Sequence, residues 1–231
     1  MNTKFTFLKA GLTFIFAIVA LIASAQSFSG PSDATTAPPS TASSVSEVLC
    51  AGSTISLKTP STTGYTYQWY KKNTGGTYVM VQSGSSNTYT ETASGDGYYT
   101  YELVQINGTN CSSVVSDPFN VYVLPTLSAS ITATKSAICE TDATSPVLTA
   151  TPTASNSKTS SYTYTYQWTK DGAIIPGATT NTYTVTDRTP NTTTAYGVTI
   201  QFSLNNSCSA SSSTNITINP IPTKPTIVVG P

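Results

Sequence analysis

Four cysteines, ten carboxylates and no histidine bound the chemistry open to this 231-residue chain. Without an imidazole there is no Ser-His-Asp or Cys-His nucleophile system, because nothing of the right basicity takes the nucleophile's proton. Cys50, Cys111, Cys139 and Cys208 are spaced too widely for the C-x₂₋₄-C pairs of zinc sites, and no histidine completes a ligand set. Glu140 and Asp142 are the nearest approach to a calcium pair, but no Asp-x-Asp-x-Asp run accompanies them. Paired carboxylates hydrolyse glycosides in other folds; here the acids are scattered, mostly beside turn residues. No P-loop or dinucleotide fingerprint occurs. The expectation is no catalytic residue, no metal and no cofactor, with the cysteines read as disulfides.

Disulfides imply an oxidising compartment, and the first residues supply a route to one. Met1–Lys9 carries two lysines and no acid, Ala10–Ile22 is almost wholly apolar, and Ala23-Ser24-Ala25 has the small-x-small form of a signal-peptidase site. About 13 apolar residues fall short of the roughly 20 that span a bilayer. Residues 1–25 are therefore expected to be a signal peptide cut after Ala25, leaving a secreted or cell-surface protein with no membrane span. Loss of Lys4 and Lys9 leaves eight basic against ten acidic residues. With no basic stripe to neutralise phosphates, nucleic acid is excluded as a partner. Only 9% of residues are charged, against ~25% in ordinary domains. Ser and Thr carry the polarity instead, alongside many tyrosines, a composition that suits exposed β-strands.

The elements that would position any site come in two copies. Thr66-Tyr67-Gln68-Trp69-Tyr70-Lys71 recurs as Thr165-Tyr166-Gln167-Trp168-Thr169-Lys170, and these copies hold both tryptophans of the chain. Asn87-Thr88-Tyr89-Thr90 recurs as Asn181-Thr182-Tyr183-Thr184. Cys111 follows Trp69 by 42 residues and Cys208 follows Trp168 by 40, while Pro125-Thr126 and Pro222-Thr223 each lie 14 beyond their cysteine. Upstream the spacing differs: Cys50 precedes Trp69 by 19 and Cys139 precedes Trp168 by 29, an insertion that fits the stretch around Thr151–Ser161. Each copy reads as short strands between turn signals. Thr54–Thr59, Ser86–Glu91, Tyr98–Gln105 and Val114–Val123 are strand candidates in the first copy, and Thr194–Leu204 with Ala210–Ile218 form the last hairpin of the second. Tyr65, Tyr67 and Trp69 share one parity, as do Tyr162, Tyr164, Tyr166 and Trp168, so one face of each strand is aromatic.

On these residues both copies resemble the immunoglobulin-like and PKD-like modules of large secreted surface proteins from gliding and polymer-degrading bacteria, the type exported as type IX secretion cargo. The shared order is Cys50-Ala51-Gly52-Ser53, Tyr67-x-Trp69, Thr88-Tyr89-Thr90 and Asn110-Cys111 in the first copy. In the second it is Cys139-Glu140-Thr141, Tyr166-x-Trp168, Thr182-Tyr183-Thr184 and Ser207-Cys208. The resemblance implies an all-β chain of two tandem immunoglobulin-like β-sandwiches. The expected organisation is a leader at 26–44, rich in Ser, Thr, Ala and Pro, domains at 45–124 and 125–221, and the first strand of a truncated third repeat at 222–231. On this reading the chain is a fragment of a longer protein with neighbouring repeats.

Trp69, Trp168, Tyr67 and Tyr166 are expected in the cores, whereas Tyr70 and Tyr78 are candidates for a ligand-facing surface. A tyrosine corner is open to Tyr99, Tyr101 or Tyr196. Four cysteines allow three pairings, and the repeat selects Cys50–Cys111 and Cys139–Cys208, one bridge pinning the end of each sandwich. The leader is expected to be a tether. The expected function is a non-catalytic structural and adhesive module that binds a surface ligand, glycan or protein. The alternative is a carbohydrate-binding accessory region of a secreted polysaccharide-degrading enzyme.

Overall fold

The computed structural model describes residues 28–230, so the expected signal peptide lies outside the described residues. Among these residues there is no α-helix; two single 3₁₀ turns, Ala42–Ser44 and Thr159–Ser161, interrupt an all-β chain. The first sandwich is built from β1 (Glu47–Leu49), β2 (Thr54–Lys58), β3 (Thr66–Lys72), β4 (Tyr78–Gly84), β5 (Thr88–Thr92), β6 (Gly97–Ile106) and β7 (Phe119–Val123). One sheet has the order β1-β7-β6-β3-β4 and the facing sheet pairs β2 with β5. The second sandwich uses β8 (Leu127–Ala133), β9 (Ala137–Cys139), β10 (Val147–Ala154), β11 (Tyr164–Lys170), β12 (Ala173–Ile174), β13 (Thr182–Thr184), β14 (Thr192–Phe202) and β15 (Asn205–Asn219). Its sheets have the orders β12-β11-β14-β15-β9 and β13-β10-β8.

Alternation explains why these segments pair as they do. In β3 the even positions are half-exposed while Tyr67, Trp69 and Lys71 are buried, so one edge-on reading of the strand gives both faces. Tyr99, Tyr101, Val121 and Val123 complete that inner layer against Ile55, Leu57 and Tyr89 of the small sheet. In the second sandwich Trp168, Tyr196, Val198, Ile200 and Ile216 face Leu148 and Ala150. The registers match between copies: Lys71 is opposite Tyr101, and Lys170 is opposite Tyr196. Each module lays a short early strand parallel to its last one, β1 on β7 and β9 on β15.

Three expectations need correction. The leader is no tether: Ser32 and Asp33 donate backbone N–H bonds to Tyr98 O (2.7 and 3.1 Å), and Tyr98 N donates to Asp33 O (2.8 Å). This segment continues the sheet where β6 runs on past the end of β3. Residues 112–118 do not join β7, because Ser113 N and Ser116 N bond back to Gln105 O and Leu103 O, leaving Val114 and Val115 exposed. Residues 220–230 form no strand, and Ile227, Val228 and Val229 are exposed. A strand needs a paired edge, and among the described residues no strand pairs with them.

Candidate functional site

The two sandwiches meet end to end in an apolar joint. Val48, Tyr122 and Leu124 from the first pack with Ala154, Tyr162, Phe202 and Cys208 from the second. Tyr122 and Tyr162 hydroxyls share a buried hydrogen bond of 2.9 Å, and burial with that bond pushes the Tyr122 hydroxyl well above its ordinary pKa. Tyr162 lies edge-on to Phe202 with ring centres 5.1 Å apart. Asn205 Nδ2 donates to Val48 O at 2.7 Å. The insertion seen in the sequence closes the rim: Asn156 Nδ2 donates to Asp96 Oδ2 (2.6 Å), and Lys158 Nζ donates to Ala34 O and Thr36 O (2.7 Å each).

A disulfide crosses this joint. It links Cys50 to Cys208, with Cα atoms 5.4 Å apart, and leaves Cys111 and Cys139 as exposed free thiols. The expected pairing within each module is overturned, and strand geometry gives the reason. Leu49 is level with Val123, and Val123 with Gly97 at the start of β6, while Cys111 lies beyond the far end of that ten-residue strand. At 3.2–3.4 Å per residue the separation is roughly 30 Å, against the 4.4–6.8 Å between Cα atoms that a disulfide requires. Cys139 and Cys208 are likewise separated by most of β15, since Cys139 pairs with Asn219.

A second feature is a charge inside the first core. The Lys71 side chain is fully buried, with Nζ 2.7 Å from Glu91 Oε1 and 3.3 Å from Phe28 O. Its ammonium lies 4.7 Å from the centre of the Tyr99 ring and 5.1 Å from that of Phe28. Glu91 also accepts hydrogen bonds from Tyr101 and Tyr89 hydroxyls. Burial lowers the Lys71 pKa despite Glu91, and burial first, then Glu91, raises those of both tyrosines. The second module repeats the arrangement in the open: Lys170 Nζ is 2.5 Å from Asp187 Oδ2, with the lysine side chain 44% exposed. The difference is the leader, whose Phe28 covers Lys71. The signal was in the sequence, because Lys71 shares the inward parity of Tyr67 and Trp69.

The core aromatics are placed as follows. Tyr67, Trp69 and Trp168 are buried, and Tyr166 is half-buried against the second core. Trp168 Nε1 donates to Thr180 O at 2.8 Å, but Trp69 Nε1 finds no partner among the described residues. It borders a groove of about 420 Å³ lined by Leu57, Trp69, Leu103, Asp117 and Phe119. Tyr99 makes the tyrosine corner, its hydroxyl donating to Gly95 O (2.9 Å) and accepting from Gly95 N (3.2 Å). Tyr70 and Tyr78 stand on strands, on the outer face of the large sheet, where Tyr70 is opposite Met80 and Glu102, and Tyr78 opposite Lys72. Tyr70 donates to Gln68 Oε1 at 3.0 Å. Burial, then the neighbouring Glu102, pushes the Tyr78 hydroxyl up to about 12. Glu140 and Asp142 serve separate partners, Ile221 N for one and Lys135 with Cys139 N for the other. Among the described residues no group of His, Cys, Asp or Glu is arranged to hold a metal ion, and no helix is long and apolar enough to cross a membrane.

In fold the chain is similar to the fibronectin(III)-like modules of Clostridium thermocellum CbhA, at 15% identity and a TM-score of 0.43, covering 84% of this chain and 99% of that one. It is also similar to the amphioxus IgVJ-C2 molecule, at 13% identity and a TM-score of 0.38, covering 74% and 99%. For the N-terminal four Ig domains of Dscam1 isoform 8.4 the identity is 19% and the TM-score 0.36, and the chain spans 42% of that length. These likenesses concern the fold alone. No curated protein matches the chain in sequence. Residues 37–125 match the family described as Ig-like domain CHU_C associated.

Proposed function

We propose that this chain is a non-catalytic structural and adhesive module of a secreted or cell-surface protein, in which two sandwiches act as one rod that displays a sheet face to a surface ligand. The observation that carries the reading is the joint, where a disulfide, a buried tyrosine pair and an apolar cluster tie the two modules together. Most inter-domain contacts within a chain leave relative motion as the default; a covalent bond across the contact argues for a function that needs fixed spacing. Small-angle scattering of the oxidised protein tests this. A single extended shape supports the rod, and a broad ensemble of inter-module angles overturns it.

A second reading, a carbohydrate-binding accessory region, draws on the outer face that carries Gln68, Tyr70, Tyr78 and Glu102. Half-buried tyrosines held by neighbours present ring faces on which sugars stack. Sedimentation with insoluble polysaccharides separates the two readings: binding that is lost in Tyr70→Ala and Tyr78→Ala supports the accessory role, and no sedimentation of the wild type counts against it.

A further inference from the structure

We propose that Cys139 of one copy of this chain forms a disulfide with Cys111 of a second copy, so that chains join head to tail through the same kind of bond that joins their modules. The argument begins from which cysteine corresponds to which. Walking the matched registers outward from Lys71–Tyr101 and Lys170–Tyr196 brings Leu49 onto Ile138 and Cys50 onto Cys139. Both cysteines open the same turn, with Ser53 N donating to Cys50 O at 3.1 Å and Asp142 N donating to Cys139 O at 3.0 Å. At the other end of each module, Asn107 and Asn205 fold their hairpins alike: Asn107 Oδ1 accepts from Thr109 N, and Asn205 Oδ1 accepts from Ser207 N. Those hairpins carry Cys111 and Cys208.

The bond within the chain therefore joins a first cysteine of one module to the second cysteine of the next. What remains unpaired is a first cysteine, Cys139, at the trailing end of the pair and a second cysteine, Cys111, at its leading end, both exposed. They lie at opposite ends of two stacked sandwiches and cannot meet within one chain, but a second copy offers each its complement. Apolar residues accompany both thiols: Val114 (90% exposed) follows Cys111 by three residues, and Ile221 (54% exposed) bonds through its N–H to Glu140, next to Cys139. The contact is heterologous, using different patches on the two partners, so each added copy leaves one free cysteine at either end and the assembly grows until a ring closes or as an open line. Each bond forms as two thiols give up two protons and two electrons to a disulfide-form oxidant, such as oxidised glutathione, which departs as two thiols.

The new contact differs from the internal joint in one respect. Tyr122 and Leu124 of the joint correspond to Thr217 and Asn219 at the trailing end, so little apolar surface backs the bond. Association between copies depends on the disulfide and reverses on reduction. The test uses the exported chain incubated with oxidised glutathione and resolved by non-reducing electrophoresis. Wild type is expected to give a ladder of dimer, trimer and longer species that reductant returns to monomer. Cys111→Ser and Cys139→Ser each abolish the ladder alone; mixed together they yield a dimer that does not grow, with Cys139 linked to Cys111 in its peptide map. The Cys50–Cys208 peptide in each variant verifies folding. Oxidised wild type that stays monomeric with two titratable thiols overturns the proposal, and so does cross-linking of like to like, Cys111 to Cys111 or Cys139 to Cys139.

Discussion

Lys71 and Lys170 occupy one position in two copies of a module, yet their surroundings give them different weight. Removing one partner of a buried pair strands the other charge and costs about 3–5 kcal/mol, whereas an exposed pair is worth about 1 kcal/mol or less. Lys71→Ala, which leaves Glu91 among tyrosines, is expected to destabilise the first module by that larger amount, and Lys170→Ala to change little; urea unfolding of both variants measures the contrast. Asp187 supplies the acid limb. Its carboxyl is held well below its ordinary value of 3.8, first by the hydrogen bond from Lys170 and then by Thr189. A depressed carboxyl adds stability that is complete above the ordinary value and is lost as pH falls through the folded one. Stability should thus hold from neutrality to about pH 4 and decline below it, less steeply in Asp187→Asn. The buried lysine was legible in the period-2 pattern, but its cover was not, because Phe28 lies 43 residues away in a stretch whose composition resembles a linker.

Among the elements, the N-terminal segment depends on a single backbone position. Gly97 has φ +128°, and a Cβ there would lie 2.5 Å from Asp33 O. Gly97→Ala combines left-handed strain of about 1–3 kcal/mol with a clash against the segment that covers Lys71. The expected outcome is loss of amide protection at Ser32 and Asp33 in hydrogen exchange, with β11 and β14 unaffected; retained protection there would show that the segment docks without the close approach. Strands were readable wherever one face is buried, as in β3 and β11, since alternation fixes the face before any partner is known. Partners across modules were not readable. Repeat symmetry is satisfied equally by a bridge within each module and by one from each module to the next, and only the length of β6 and β15 decides between them. The insertion around 151–161 announced a difference between the copies; its use, carrying Asn156 and Lys158 across the joint, required the neighbouring module to be in place.

For the molecule as a whole, the joint couples two cores that would otherwise unfold separately. Oxidised protein should melt in one concerted transition in calorimetry, and Cys208→Ser in two, with the bridge contributing roughly 5 kcal/mol in the chain-entropy account for so long a loop. Alkali acts on the molecule through its tyrosines. Tyr78, Tyr89, Tyr101, Tyr122 and Tyr164 all have pKa values raised mainly by burial. A raised tyrosine adds stability that is full below its ordinary value of 10.0 and lost as pH climbs above it. Tyr98, Tyr99, Tyr166 and Tyr196 are raised by burial in the same way, while Lys71 works in the opposite sense in the same window, one group against nine. Net stability should therefore fall above about pH 10, with tyrosinate absorbance appearing together with unfolding. The position of the Cys50–Cys208 bond has a mechanical consequence too. Tension applied to the two ends of the chain would pass along β1 to Cys50, cross directly to Cys208 and leave along β15, bypassing everything between. Both load-bearing strands lie alongside neighbours in the pulling direction, so their hydrogen bonds would be sheared together rather than unzipped one by one. While the bond stands, the enclosed residues, a separation of 158, hold back roughly 500 Å of extended chain from any pull; reduction would release that length as slack.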